Sequence, residues 1–326
     1  MNNMKTAFVT GVTGMDGSHL ADLLLSKGYK VVGLRRRTST FNTGRLEQVY
    51  NHPNFIMEWG NITDSHSLYK ILNKYKPDEI YNLAAQSHVR VSFDVPEETL
   101  EAVSMGTLKL LNAMKEIVPN ARFYQASSSE MYGIALCPPT GYTEESKMIP
   151  ASPYACSKLF SHNITRNYRE SYGLHASCGI LFNHESERRG ETFVTRKISI
   201  AAARIKTGVQ EKLYLGNLNS YRDWGYAPDY CEGMWRMLQQ DKPDDYVLAT
   251  GETHSVKEYL EETFKIAGLS VEEYVEYDSR LERPEEVPYL LGNYSKAKEK
   301  LGWSPSLTFK NLVNNLYQHE IDSIVK

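Results

Sequence analysis

The stretch Thr6-Ala7-Phe8-Val9-Thr10-Gly11-Val12-Thr13-Gly14-Met15-Asp16-Gly17 decides how this chain is built. A short apolar run stops in glycines spaced three apart. Leu20, Leu23, Leu24 and Leu25 then gather on one side of a helix-length segment ending near Lys27. A strand that turns through glycines into a helix leaves backbone N–H groups free at the positive end of a helix dipole. A dinucleotide pyrophosphate binds at such a place. The spacing is G-x-x-G-x-x-G, which by itself also describes a structural turn; the strand–turn–helix context is what points to cofactor binding.

Outward from this unit, apolar runs alternate with amphipathic stretches. Further strands are predicted at Lys30–Leu34, Asn54–Glu58, Glu79–Asn82, Arg122–Ala126 and Ala176–Leu181. Helices are predicted after a Thr63-Asp64 cap and over Met105–Ile117. This alternation implies an α/β fold, a Rossmann-type doubly wound parallel sheet covered by helices. Beyond residue 183 the regularity weakens, with helical stretches at Lys197–Thr207 and Asp229–Gln240 and a last surface helix from Lys310 to Ile324. We expect a dinucleotide-binding domain over residues 1–182, rejoined by segments near 222–250. A smaller, discontinuous C-terminal α/β substrate-binding lobe fills 183–326.

The 326 residues are 41% hydrophobic and 24% charged with net charge −3, so no global field favours nucleic acid or an anionic membrane. Cys137, Cys156, Cys178 and Cys231 show no C-x-x-C spacing, which argues for idle thiols in a reducing cytoplasm and against a metal site. The start, Met1-Asn2-Asn3-Met4-Lys5 before Ala7-Phe8-Val9, lacks the form of a signal peptide, and no apolar run is long enough to span a membrane.

The second strand runs into Arg35-Arg36-Arg37-Thr38-Ser39 with no acid. An acid there would accept from a ribose hydroxyl, whereas arginines pair with a 2′-phosphate, so NADP is expected over NAD. Tyr154 and Lys158 stand one helical turn apart. With 22 tyrosines about one such pair arises by chance; its place, opening a helix after the fifth strand, carries the weight. The Lys ammonium is expected to lower the phenol's pKa so that it acts as a base near neutral pH. Ser128 and Glu130, at the carboxyl end of that strand, add a second acid/base group.

In these segments the chain resembles the GDP-mannose 4,6-dehydratase family of the extended short-chain dehydrogenase/reductases. The likeness runs through residues 10–21, 35–45, 82–89, 92–94, 127–133, 152–158, 180–198, 215–230, 249–256, 283–287 and 296–303. The resemblance implies that Tyr154, assisted by Lys158, takes the sugar O4 proton while hydride leaves C4 for NADP⁺. Glu130 then removes the C5 proton and, as acid, helps water leave from C6, to which the hydride returns; Ser128 stands where the family usually has Thr. It further implies cofactor contacts from Gly11, Gly14, Met15, Asp16, Arg36 and Thr38. Asn61, Ile62, Leu83, Ala84, Ser87, Lys158, His184 and Arg189 complete the cofactor set. The GDP-sugar falls to Ser87, Asn183, Lys197, Arg222, Arg283 and Glu286, and the arginine loop implies a homo-oligomer, dimer or tetramer.

Besides Ser128, three further positions depart from the family pattern: Asn61 for Asp, Ala151 for Arg and Ala155 for Gly. A lost cation at Ala151 suggests extra space, and with it GDP-manno-heptose as an alternative to GDP-mannose. A GDP-4-keto-6-deoxy-sugar reductase, which has no need of Glu130, or a nucleotide-sugar epimerase, which leaves substrate mass unchanged, are the other readings.

Overall fold

A computed structural model describes residues 4–325; residues 1–3, the start of the stretch read above for a leader, and residue 326 lie outside the described residues. Seven strands form one parallel sheet: β1 (Thr6–Thr10), β2 (Lys30–Arg35), β3 (Phe55–Trp59), β4 (Glu79–Asn82), β5 (Arg122–Ser128), β6 (His175–Leu181) and β7 (Asp245–Leu248). Their order is β7-β6-β5-β4-β1-β2-β3. The chain winds outward from β1 to β3, then crosses back to the other side of β1 and winds out again. That reversal opens a crevice beyond the carboxyl ends of β1 and β4, where open α/β sheets bind ligands.

Strand alternation assigns the two faces. Ala7 and Val9 face a core shared with Leu20 and Leu24 of α1 (Met15–Ser26), while Phe8 faces Ile80, Leu110 and Phe123 on the other side. Each large apolar side chain fully buried there is worth about 1.5–3 kcal/mol. Local chemistry sets the helix ends. Asp64 caps α2 (Ser65–Tyr75), accepting from His66 N and Ser67 N, and Ser152 caps α4 (Pro153–Tyr172), accepting from Ala155 N. The helix between them, α3 (Gly106–Ile117), follows a π-helical turn over Glu101–Met105.

The seventh strand was not expected, and it pairs with β6 after the chain has passed through the later segments. A third core gathers Ile198 from α5 (Val194–Lys206), Tyr259 and Phe264 from the helix Val256–Ala267, and Leu312 and Tyr317 from the helix Phe309–Val325. α6 (Ala227–Leu238) and the short helix Ser295–Leu301 instead pack on the sheet, through Met234, Ala297 and Leu301. Among the described residues no helix is long and apolar enough to cross a membrane.

Candidate active site

A cavity of about 1300 Å³ runs from the carboxyl ends of β1, β4, β5 and β6 across to the third core. Drug-sized ligand pockets occupy ~300–1,000 Å³, so this one has room for more than one small ligand. Every expected site residue except Thr38 contributes to its wall.

At the β1 end the wall is backbone. Gly11 has φ +68°, and a Cβ there would meet Leu83 C and Ala84 N at 2.9 Å; only glycine permits both. A Cβ on Gly17 would meet Gly11 O at 2.3 Å, so α1 can start against the turn only with glycine there. Thr10 Oγ1 accepts from the N–H groups of Leu83 and Ala84 at 3.1 Å, which holds the β4 loop beside the glycine turn. No side chain caps α1. These features suit a pyrophosphate held on backbone amides.

His184 Nε2 lies 3.0 Å from Asp16, and its Nδ1 lies 2.7 Å from Phe182 O. Burial opposes the imidazolium, but the Asp16 carboxylate raises the His184 pKa overall, and burial likewise opposes the Asp16 charge while His184 lowers its pKa. Arg189 Nε lies 3.2 Å from Glu185 as an ion pair without hydrogen-bond alignment, and the guanidinium stacks on Phe193 at 3.7 Å. At the far end, Arg35 stacks on Trp59 at 3.8 Å, and Asn61 Oδ1 accepts from Thr63 N at 3.2 Å. Ile62 abuts Gly106, where a Cβ would come within 2.7 Å of it.

The catalytic candidates come from two elements. β5 ends in Ser128, whose hydroxyl accepts from Glu130 N at 3.2 Å and so turns the carboxylate into the cavity wall. α4 supplies Tyr154 and Lys158, both buried. Burial pushes the Tyr154 phenol up to about 12, against the neighbouring Ser128 hydroxyl, and pulls Lys158 down to about 8, against the Asp16 charge. The expected phenol lowered toward neutral is not found, because burial outweighs the polar groups around it. Lys158 Nζ donates to Ala126 O at 2.7 Å and stands 5.7 Å from the Tyr154 ring centre.

The opposite wall is made of paired charges. Arg222 donates to Glu286 and to Val287 O, both at 2.8 Å. Arg283 lies 3.3 Å from Glu286 and 3.7 Å from Glu130. Burial lowers the pKa of Arg222 and of Lys197, which donates to Tyr214 O at 2.7 Å. Asp223 stands behind this wall, accepting from Thr250, Gly251 and Gly292, with burial raising it to about 6.

A family model described as GDP-mannose 4,6 dehydratase matches residues 8–316. The chain belongs to the GDP-mannose 4,6-dehydratase family. It is 52% identical to GDP-mannose 4,6 dehydratase 1 of Arabidopsis thaliana, over 98% of this chain and 90% of that relative. It is 46% identical to the Homo sapiens GDP-mannose 4,6 dehydratase, over 98% and 92%. The solved dTDP-glucose 4,6-dehydratase DesIV of Streptomyces venezuelae shares the fold, with a TM-score of 0.86 at 24% identity over 97% of each chain.

Two expectations drawn from the GDP-mannose 4,6-dehydratase family pattern change here. Thr38 lies outside the cavity wall, its hydroxyl spent on Thr40 O at 2.6 Å. Ala151 also lies outside it, packed against the cluster of Met131, Tyr132 and Phe182. Sequence reasoning passed over Arg45, which lines the cavity and donates to Arg188 O at 2.6 Å, and Glu185, the partner of Arg189. Both stand in the quoted family segments, but only the fold supplies their partners.

Proposed function

We propose that this family member removes water from GDP-mannose to give the GDP-4-keto-6-deoxy sugar, with an NADP cofactor held on the sheet wall. The observation that carries the reading is Glu130, a buried carboxylate turned into the same cavity as Ser128, Tyr154 and Lys158. A dehydrogenase or 4-epimerase works with a single proton site beside its cofactor, whereas water loss requires a second group for C5 and C6.

Gly11, Gly14 and the start of α1 would cradle the pyrophosphate, and Arg36, in the cavity wall, would meet a 2′-phosphate. A bound nicotinamide would supply a hydride acceptor for sugar C4 and a donor for C6, leaving no net oxidation. Tyr154 would take the O4 proton, with the Ser128 hydroxyl steadying O4. The phenol at about 12 needs positive charge close by to ionise, and Lys158, a cation below about pH 8, is the group within one turn to provide it. Glu130 would take the C5 proton and return one to the departing C6 oxygen. Arg222, Arg283 and Lys197 would hold the diphosphate, and Asn183, Ser87 and Glu286 would hold the rest of the GDP-sugar.

Incubation with GDP-mannose followed by mass spectrometry tests the reading, with loss of one water expected. An unchanged mass with an altered sugar configuration would mean an epimerase, and inertness to GDP-mannose with gain of two hydrogens on a GDP-4-keto-6-deoxy sugar, NADPH being consumed, would mean a reductase. GDP-manno-heptose offered in competition is expected to react more slowly; a strong preference for it would reverse the choice of sugar. Tighter binding of NADP than NAD, lost in Arg36→Ala, checks the cofactor; equal affinities would contradict it. We also propose a cytoplasmic homo-oligomer, with Arg37 and the exposed Phe41 on the arginine loop as the contact surface. Light scattering showing a monomer, or fractionation with membranes, would refute this.

A further inference from the structure

We infer that His162 is a positioning residue for the dehydration: by accepting the Ser127 hydroxyl, it holds the carboxyl end of β5 in register with α4. The inference rests on the catalytic roles proposed above, since β5 ends in Ser128 and leads into the short turn that holds Glu130, while α4 carries Tyr154 and Lys158.

Besides the Tyr154–Ser128 contact, two polar links join α4 to the part of β5 just before Ser128. Lys158 Nζ donates to Ala126 O at 2.7 Å, and His162 Nδ1 lies 3.0 Å from Ser127 Oγ. Lys158 and His162 are four residues apart, so both links leave one face of α4. They grip consecutive residues of β5, directly before Ser128. Lys158 cannot serve as the only clamp if its ammonium must also support the phenol. The link through His162 has no other duty.

The rest of the contact fixes the ring. His162 is 1% exposed and Ser127 3%. His162 Nε2 faces Asp245 Oδ2 of β7 at 3.9 Å. Asp245 is gripped by Arg169 at 2.9 and 3.1 Å, and accepts from Cys178 N at 3.2 Å. A carboxylate on the Nε2 side favours the tautomer protonated there, leaving Nδ1 as acceptor and the Ser127 hydroxyl as donor. The array therefore ties α4 to β5, β6 and β7 at once. It resembles a Ser-His-Asp triad but is wired in reverse, since in hydrolases Nε2 meets the serine and Nδ1–H the acid. With Ser127 buried as well, the chemistry is positional rather than nucleophilic.

A misplacement of about 1 Å at a reacting group costs ~100-fold in rate. In His162→Phe the ring volume stays while Ser127 loses its acceptor. The kcat on GDP-mannose, per folded and cofactor-loaded site, is expected to fall about 10–100-fold, with KM within about twofold of wild type. His162→Gln, whose amide oxygen can accept, should recover most of the loss, and Ser127→Ala should reproduce it. Should His162→Phe fail to fold, the smaller change Ser127→Ala decides. A normal kcat in that variant, a shift in KM alone, or a Gln variant as slow as the Phe variant would overturn the inference. Wild-type protein that removes no water would overturn the catalytic reading itself, and this inference with it.

Discussion

The two walls of the cavity are built on opposite principles. The sheet wall holds its shape through backbone: Gly11 against Leu83 and Ala84, Gly17 against Gly11, and Thr10 pinning the β4 loop. The opposite wall holds its shape through charges that pair with one another, Arg222 and Arg283 with Glu286, and Arg283 with Glu130. A backbone cradle is the same with or without a ligand. An ion-paired wall can exchange a protein carboxylate for a ligand phosphate, because Glu286 and Arg283 are only half-buried while the buried Arg222 must keep an anionic partner. The first wall therefore suits a cofactor that stays bound through turnover, the second a substrate that must enter and leave.

The largest effect is expected on the backbone wall. Gly11→Val places a Cβ against backbone at 2.9 Å in a left-handed conformation, and should weaken dinucleotide binding more than about 100-fold. Calorimetric titration with NADP measures it; near-normal affinity would mean the turn does not hold the cofactor. Acid should also strike this side of the molecule. Burial, opposed by Asp245, holds His162 down at about 4, below the ordinary 6.5. The unfolded chain thus binds a proton between about pH 6.5 and 4 that the folded chain does not. Stability then falls as pH drops through that window, by about 3 kcal/mol in full. Urea unfolding at pH 7 and 4.5 should show the loss, with a flatter response in His162→Phe; equal slopes would contradict it.

Between the walls, Lys158 at about 8 predicts a falling alkaline limb in kcat/KM near pH 8, about tenfold by pH 9. Lys158→Arg, which stays charged, should remove the limb whatever its rate; an unchanged limb would assign it to another group. The smallest effect belongs to the ion-paired wall. Glu286→Gln should raise KM for GDP-mannose about 3–10-fold with kcat nearly unchanged. A drop in kcat instead would show that Glu286 acts on the chemistry, through Arg283 and Glu130.

The same contrast explains what was legible in the sequence. The glycine turn, the six leading strands and the capped helices are local patterns, and the structure has them within a residue or two. β7 was missed because its four residues follow Asp241-Lys242-Pro243-Asp244 and precede Ala249-Thr250-Gly251, too short a run to show periodicity. It exists because β6 offers an edge. Tyr154 and Lys158 were legible as a pair, but their pKa values follow from depth of burial, which spacing does not reveal. Ala151 read as an enlarged site only because its neighbour in sequence is the catalytic segment; in space it packs elsewhere. The Arg222–Glu286 and Arg189–Glu185 partnerships likewise needed the fold.

Single turnover of Glu130→Gln on GDP-mannose labelled with deuterium at C4 tests the central claim, that Glu130 is the group that separates water loss from simple oxidation. The account predicts that NADPH absorbance forms and persists while no water is lost. In wild type the label should reappear at C6 with no free NADPH. Dehydration by Glu130→Gln at the wild-type rate, or wild-type product without deuterium at C6, would contradict it.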